Sequence, residues 1–231
     1  MILPENERLG KYTRDYFTLR NCQEIQSWHK KIIRPDIASC LCYALKNRHV
    51  EEMRQASGIP FEQHLLKLSS GATRKPNLVV DLGAGRGEII AFFTLLGIDV
   101  IGVDPSPGAQ EIIPQTMKEW ANTSDYKFYN LNSYLGMVEV AELDVDTIIM
   151  CESIEHIRPE EFNQAWGLIC KTLTRTKGLF IVANTLKKHP IPVDNSGYDH
   201  IRRIDDAVYD ALAKDAKSTV GRKGSHMVLQ F

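Results

Sequence analysis

The stretch VVDLGAGRGE, residues 79–88, decides the fold. Its first half is apolar except for Asp81 and reads as the end of a short buried strand. Gly83, Gly85 and Gly87 then lie two apart, a composition that lets the backbone turn sharply and approach a ligand closely. The residues that follow, EIIAFFTLLG (88–97), read as a helix closed by a glycine. A strand running through a glycine turn into a helix opens a βαβ unit. A dinucleotide fingerprint would be G-x-G-x-x-G. Here the spacing is G-x-G-x-G, and position 88 is Glu, whose carboxylate would repel a pyrophosphate.

Working outward, the pattern keeps alternating. DVIGVD (99–104), KFYNL (127–131), DTIIMC (146–151) and GLFIVAN (178–184) read as strands, with SHMVLQF (225–231) as a terminal one. Helices are expected at 107–123, 159–173 and 203–215, with Pro114 near the start of the first or kinking it. Apolar strands alternating with helices imply an α/β domain with a doubly wound, mainly parallel sheet covered on both faces. In such sheets the ligand sits beyond the carboxyl ends of the strands, where strand order reverses.

Residues 12–68 have a different texture, with apolar residues at helical spacing. They read as an N-terminal helical cap within a region 1–75, joined by the polar segment 69–77 to a domain spanning 76–231. The aromatics Tyr12, Tyr16, Phe17, Trp28 and Tyr43 in the cap read as core residues or as a stacking surface. The segment 185–202 is Pro/Gly-rich and reads as a loop over an acceptor.

Composition bounds the function. Lys+Arg 28 against Asp+Glu 29 leaves a net charge of −1 in 231 residues, so no global basic field draws the chain to nucleic acid. No apolar run reaches the length of a membrane span or of a signal peptide. The five cysteines form no CxxC pair, which reads as free thiols in a cytoplasmic protein without a membrane partner.

Asp104 closes the second strand about 20 residues beyond the first loop glycine, where an acidic side chain can accept hydrogen bonds from ribose hydroxyls. Asn132, Ser133 and Tyr134 follow the third strand, where an adenine edge and face could be met. The ligand these positions describe is nucleoside-like, with a ribose and without a pyrophosphate.

VVDLGAGRGE, VIGVDPS and DTIIMCESIEHI, in that order, resemble the class I S-adenosyl-L-methionine-dependent methyltransferases, which have a Rossmann-like sheet. The resemblance covers residues 76–231. It implies that Gly83, Gly85 and Gly87 pass under the methionine and ribose of the cofactor and that Asp104 holds the ribose. Asp81 would order the loop and meet the methionine ammonium. Asn132 and Ser133 would lie at the adenine, and Cys151 would line the site. Asn132 stands where the family often has an aspartate.

The stretch CESIEHI (151–157) is the second constellation. Entering a helical turn, Glu152, Glu155 and His156 would fall on one face. Three readings stay open: a divalent metal such as Mg held by the three, His156 as a general base, and a structural role. E-x-x-E-H here is similar to two groups, the ubiquinone-biosynthesis O-methyltransferases and the small-RNA terminal 2′-O-methyltransferases. The second group implies a further metal-binding histidine, for which His200 is the candidate and His189 the runner-up. The expectation is methylation of a small-molecule oxygen. RNA 3′-end methylation and a non-catalytic nucleoside-binding or partner-subunit module are the alternatives. Nothing in the sequence indicates the oligomeric state.

Overall fold

The computed structural model describes residues 9–10, 12–14, 77–95, 97–183, 204–223 and 226–231. The expected helical stretch 12–68 beyond residue 14, the segment 185–202 and both His189 and His200 lie outside the described residues.

A seven-stranded sheet organises the domain. In chain order its elements are β1 (Leu78–Leu82), α1 (Glu88–Leu95), β2 (Asp99–Val103), α2 (Pro107–Trp120), β3 (Lys127–Tyr129), α3 (Ser133–Val140), β4 (Thr147–Cys151), a 3₁₀ turn (Ile154–His156), α4 (Pro159–Thr176), β5 (Leu179–Ala183), α5 (Asp206–Lys214), β6 (Ser218–Lys223) and β7 (His226–Gln230). The strand order is β3-β2-β1-β4-β5-β7-β6. The first five strands pair in parallel, and β7 runs antiparallel to both β5 and β6. The mainly parallel, doubly wound architecture is as expected.

Side-chain alternation assigns the two faces. Val80, Leu82, Ile101, Val103, Ile148, Met150, Phe180 and Val182 share a core with Met137 and Val140 of α3, Phe162 and Ile169 of α4, and Tyr209 and Leu212 of α5. The intervening positions, Val79, Val100, Ile149 and Ile181, are also buried and belong to the opposite face, where Gly102 lies against Ile90 of α1. Each fully buried Ile, Leu or Phe contributes about 1.5–3 kcal/mol relative to exposure, so both faces stabilise the sheet. Asp81 lies on the α1 face of β1, a charged side chain within that apolar layer.

Local chemistry fixes the helix starts. Ser106 caps α2, with its hydroxyl oxygen accepting the Ala109 N–H, and Pro107 occupies the first turn. Pro114 sits well inside α2 rather than near its start. It has no N–H to give to the Gln110 carbonyl. Two elements go beyond the sequence expectation, namely α3 and β6.

Candidate functional site

The strand order reverses between β1 and β4, and the functional residues gather at the carboxyl ends of those strands and of β2. The glycine loop follows β1. The N–H groups of Gly83 and Ala84 both donate to the Val103 carbonyl, at 2.8 and 3.1 Å, which ties the loop to the end of β2. Gly83 has φ +88°, and a Cβ there would lie 2.3 Å from the Cβ of Ser153. Only glycine fits, on both conformational and steric grounds. Gly85 and Gly87 also have positive φ. Ser153 is in turn held by its hydroxyl donating to the Leu82 carbonyl at 2.8 Å. The segment after β4 is thereby locked against the glycine loop.

Asp104 is 8% exposed and directs its carboxylate at the same loop. The Gly85 N–H donates to Oδ2 at 2.9 Å, while the Ser106 N–H and hydroxyl donate to Oδ1 at 2.9 and 2.6 Å. Burial pushes its pKa up, and the hydrogen bonds from Ser106 and Gly85 pull against that rise. A carboxylate offers about four lone-pair sites, so Asp104 retains capacity for a further donor. Asn130 supports this turn by donating to the Asp104 and Ser106 carbonyls at 2.9 and 3.1 Å.

Asp81 is 1% exposed, and its Oδ1 is buried with no hydrogen-bond partner among the described residues. Burial first, then repulsion from Asp104 and Glu88, pushes its carboxyl well above the usual aspartate value. Arg86 pairs with Glu88 at 2.8 Å on the rim of the loop, so the repulsion expected from Glu88 is partly offset. Asp81, Asp104 and Glu88 lie around the loop that carries Arg86.

Asn132 caps α3, with its side-chain oxygen accepting the Leu135 N–H at 2.9 Å. The Ser133 N–H donates to Glu161 of α4 at 3.0 Å. Cys151, half-buried, ends β4.

The reading that Glu152, Glu155 and His156 share one face of a helical turn is corrected. The turn is a 3₁₀ helix beginning only at Ile154, and Glu152 precedes it with φ +51°. Glu155 is buried at 1% exposure, and its Oε1 lies 3.9 Å from Nε2 of His156. The Nδ1 of His156 is 2.9 Å from the hydroxyl of Tyr12. Among the described residues no group of three or more His, Cys, Asp or Glu side chains is arranged to hold a metal ion. His189 and His200, the further ligands that the motif's likeness implies, lie outside the described residues, and no step below is routed through a metal.

Sequence reasoning missed the roles of Ser153, Asn130 and Tyr12. A signal existed for the first, since an obligate glycine at position 83 requires something close by. None existed for Tyr12, which meets His156 across 144 positions.

A protein-family model described as a methyltransferase domain matches residues 52–186, well over half of the chain. The chain belongs to the methyltransferase domain family. With the doubly wound sheet, that membership bears out the expectation of a class I S-adenosylmethionine-dependent methyltransferase. No curated protein matches the sequence. Among solved structures, an O-methyltransferase family protein from Burkholderia thailandensis is similar at 15% identity and a TM-score of 0.51, over 67% of this chain and 50% of that one. Magnesium protoporphyrin IX methyltransferase from Synechocystis PCC 6803, with bound S-adenosylmethionine, aligns at 17% identity and a TM-score of 0.44 over 80% of each chain. A SAM-dependent methyltransferase from Archaeoglobus fulgidus aligns at 20% identity and 0.37, over 46% of this chain and 43% of that one. The chain thus spans about half the length of several of the structures it matches. Among the described residues no helix is long and apolar enough to cross a membrane.

The site fits the family's cofactor on its own evidence. A backbone turn that no side chain can enter, a strand-end carboxylate with spare acceptor capacity, and a buried carboxylate oxygen without a partner suit a cationic nucleoside. They do not suit a pyrophosphate.

Proposed function

We propose that this methyltransferase transfers the methyl group of S-adenosylmethionine to an oxygen of a small-molecule acceptor, with His156 receiving the acceptor's proton. The observation that carries the reading is Asp81. Its unpartnered buried oxygen, raised in pKa beside Asp104, supports a role in meeting the methionine ammonium. The glycine loop would lie under the methionine and ribose, and Asp104 would accept from the ribose hydroxyls.

S-adenosylmethionine supplies a methyl group on a sulfonium, already electrophilic. The chain's part is to orient the two reactants, which can supply about 7–11 kcal/mol of a barrier, and to accept a proton. Ser153 against Gly83 holds the turn carrying Glu155 and His156 beside the cofactor loop. Proton transfer to a positioned imidazole is worth about 10²–10⁴ in rate. Asn132 caps α3 through its Oδ1, and the second lone pair of that oxygen would accept from an adenine amino group. Ser133 and Cys151 would lie along the same edge. The region 1–75 and the segment 185–202 would shape the acceptor pocket.

The near-neutral net charge favours a small molecule over RNA. The test is transfer of labelled methyl from S-adenosylmethionine to a panel of catechols and to a short RNA, with and without EDTA. Labelling of a catechol, indifferent to EDTA, is expected. Labelling of the RNA alone, or activity lost with EDTA and restored by a divalent ion, would overturn the acceptor and proton-transfer assignments respectively. Cofactor binding with no transfer to any acceptor would favour the non-catalytic module.

A further inference from the structure

The described N-terminal residues lie across the start of α2. The Tyr12 N–H donates to the Leu9 carbonyl at 3.0 Å, and the Tyr12 carbonyl accepts the Gly108 N–H at 2.9 Å. A Cβ on Gly108 would lie 2.3 Å from the Thr13 backbone, so this close approach requires glycine. Arg14 donates to Gln115 at 2.9 Å. Tyr12 is held at 6% exposure, its ring edge-on to His156 with centroids 5.6 Å apart.

The imidazole therefore has a protein group near each nitrogen. Nδ1 faces the Tyr12 hydroxyl at 2.9 Å, and Nε2 faces the Glu155 carboxylate at 3.9 Å. A lone pair at Nε2 directed toward a buried carboxylate is electrostatically unfavourable, whereas an N–H there is favourable. With its hydrogen on Nε2, the neutral ring would accept from the Tyr12 hydroxyl at Nδ1.

We propose that Tyr12, His156 and Glu155 form a proton relay in which Tyr12 is the residue that meets the acceptor hydroxyl. The inference rests on the oxygen-methylation reading above and deepens it. As the acceptor oxygen forms its bond to the methyl carbon, the electron pair of the breaking S–CH₃ bond returns to sulfur. The acceptor's proton passes to the Tyr12 oxygen, and the Tyr12 proton passes to Nδ1. The resulting imidazolium faces the Glu155 carboxylate, and its proton returns to solvent after product leaves. Tyr12 is then a catalytic residue and Glu155 a positioning residue. This arrangement explains why a tyrosine from the far end of the chain is fastened beside the cofactor loop.

The experiment uses the full chain with S-adenosylhomocysteine bound at pH 7.5 and reads the ring ¹⁵N shifts of His156, a measurement that needs no acceptor. The expected result is a neutral ring with hydrogen on Nε2 and a hydrogen-bonded Nδ1. In Y12F, which keeps the ring packing, Nδ1 moves toward the shift of a bare ring nitrogen. An imidazolium, a hydrogen on Nδ1, or a spectrum unchanged in Y12F overturns the relay. With whichever acceptor the methyl-transfer panel identifies, Y12F is expected to lower kcat at least about tenfold while KM and the Kd for S-adenosylhomocysteine stay within about twofold. E155Q is expected to lower kcat with the same unchanged binding. An unchanged kcat in Y12F overturns the relay even where the methylation reading holds, and failure of the whole panel leaves the ¹⁵N result to decide the relay alone.

Discussion

Replacing Asp81 by Asn separates what this residue does for the fold from what it does for the cofactor. In the unliganded protein Asp81 is a buried carboxylate with an unpartnered oxygen, facing repulsion from Asp104 and Glu88. Its native pKa is raised above the ordinary 3.8. The native state therefore holds this proton to higher pH than the unfolded chain does. Stability from this group is complete below about pH 4 and is lost as pH rises through the raised native value. At pH 7.5 the wild-type apoprotein carries that cost and the D81N apoprotein does not. Relief of about 1 kcal/mol, the low end for an unsatisfied buried group, raises Tm by about 2–4 °C for a chain of this size.

Binding moves the other way. A charge-assisted hydrogen bond to an ammonium is worth about 1.5–3 kcal/mol, so D81N should bind S-adenosylhomocysteine about 10–100-fold more weakly. Because the cation favours the ionised carboxylate, wild-type affinity should rise with pH until it passes the native pKa of Asp81. Binding below that value should release protons. D81N should show neither effect. Thermal melts and calorimetry in two buffers of different ionisation enthalpy read all of these. A D81N protein that melts lower at pH 7.5 and binds with unchanged affinity and pH dependence would refute the reasoning.

Other consequences follow from the same geometry. Gly83→Ala forces a Cβ against Ser153 at positive φ. Left-handed strain of about 1–2 kcal/mol and overpacking of about 1–3 kcal/mol should lower Tm by several degrees and abolish measurable cofactor binding. Ser153→Ala removes the hydroxyl that holds the turn to Leu82. It should cost about 1 kcal/mol of stability, read by urea denaturation, and lower kcat more than it weakens S-adenosylhomocysteine binding. Burial, with Asp215 adding repulsion, pushes the Cys170 thiol up to about 12. Iodoacetamide at pH 8 followed by peptide mass spectrometry should leave Cys170 unmodified in the folded protein.

The sequence was most readable where a local rule coincides with the tertiary one. The glycine turn, the apolar parallel strands and the acidic end of β2 announce themselves because each is required by backbone geometry or burial on both faces. α3 was missed because SYLGMVEV is short and contains a glycine. Its capping residue, Asn132, is of a type that serves at an N-cap. β6, STVGRK, has the polarity of a surface loop and is a strand only through its pairing with β7 at the sheet edge. The E-x-x-E-H spacing suggests a turn after β4 but is blind to whether that turn is α or 3₁₀. That difference leaves Glu152 outside the turn and Glu155 buried. The contact between Tyr12 and His156 joins distant parts of the chain, and no periodicity encodes it.

Calorimetric titration of the full chain with S-adenosylhomocysteine tests the central claim most directly, that the cradle formed by Gly83–Gly87, Asp81 and Asp104 holds this cofactor. Saturable binding at one site per chain, lost in Gly83→Ala and weakened in D81N, is the predicted result. Absence of binding by the folded wild-type chain, or binding that both substitutions leave unchanged, would contradict it.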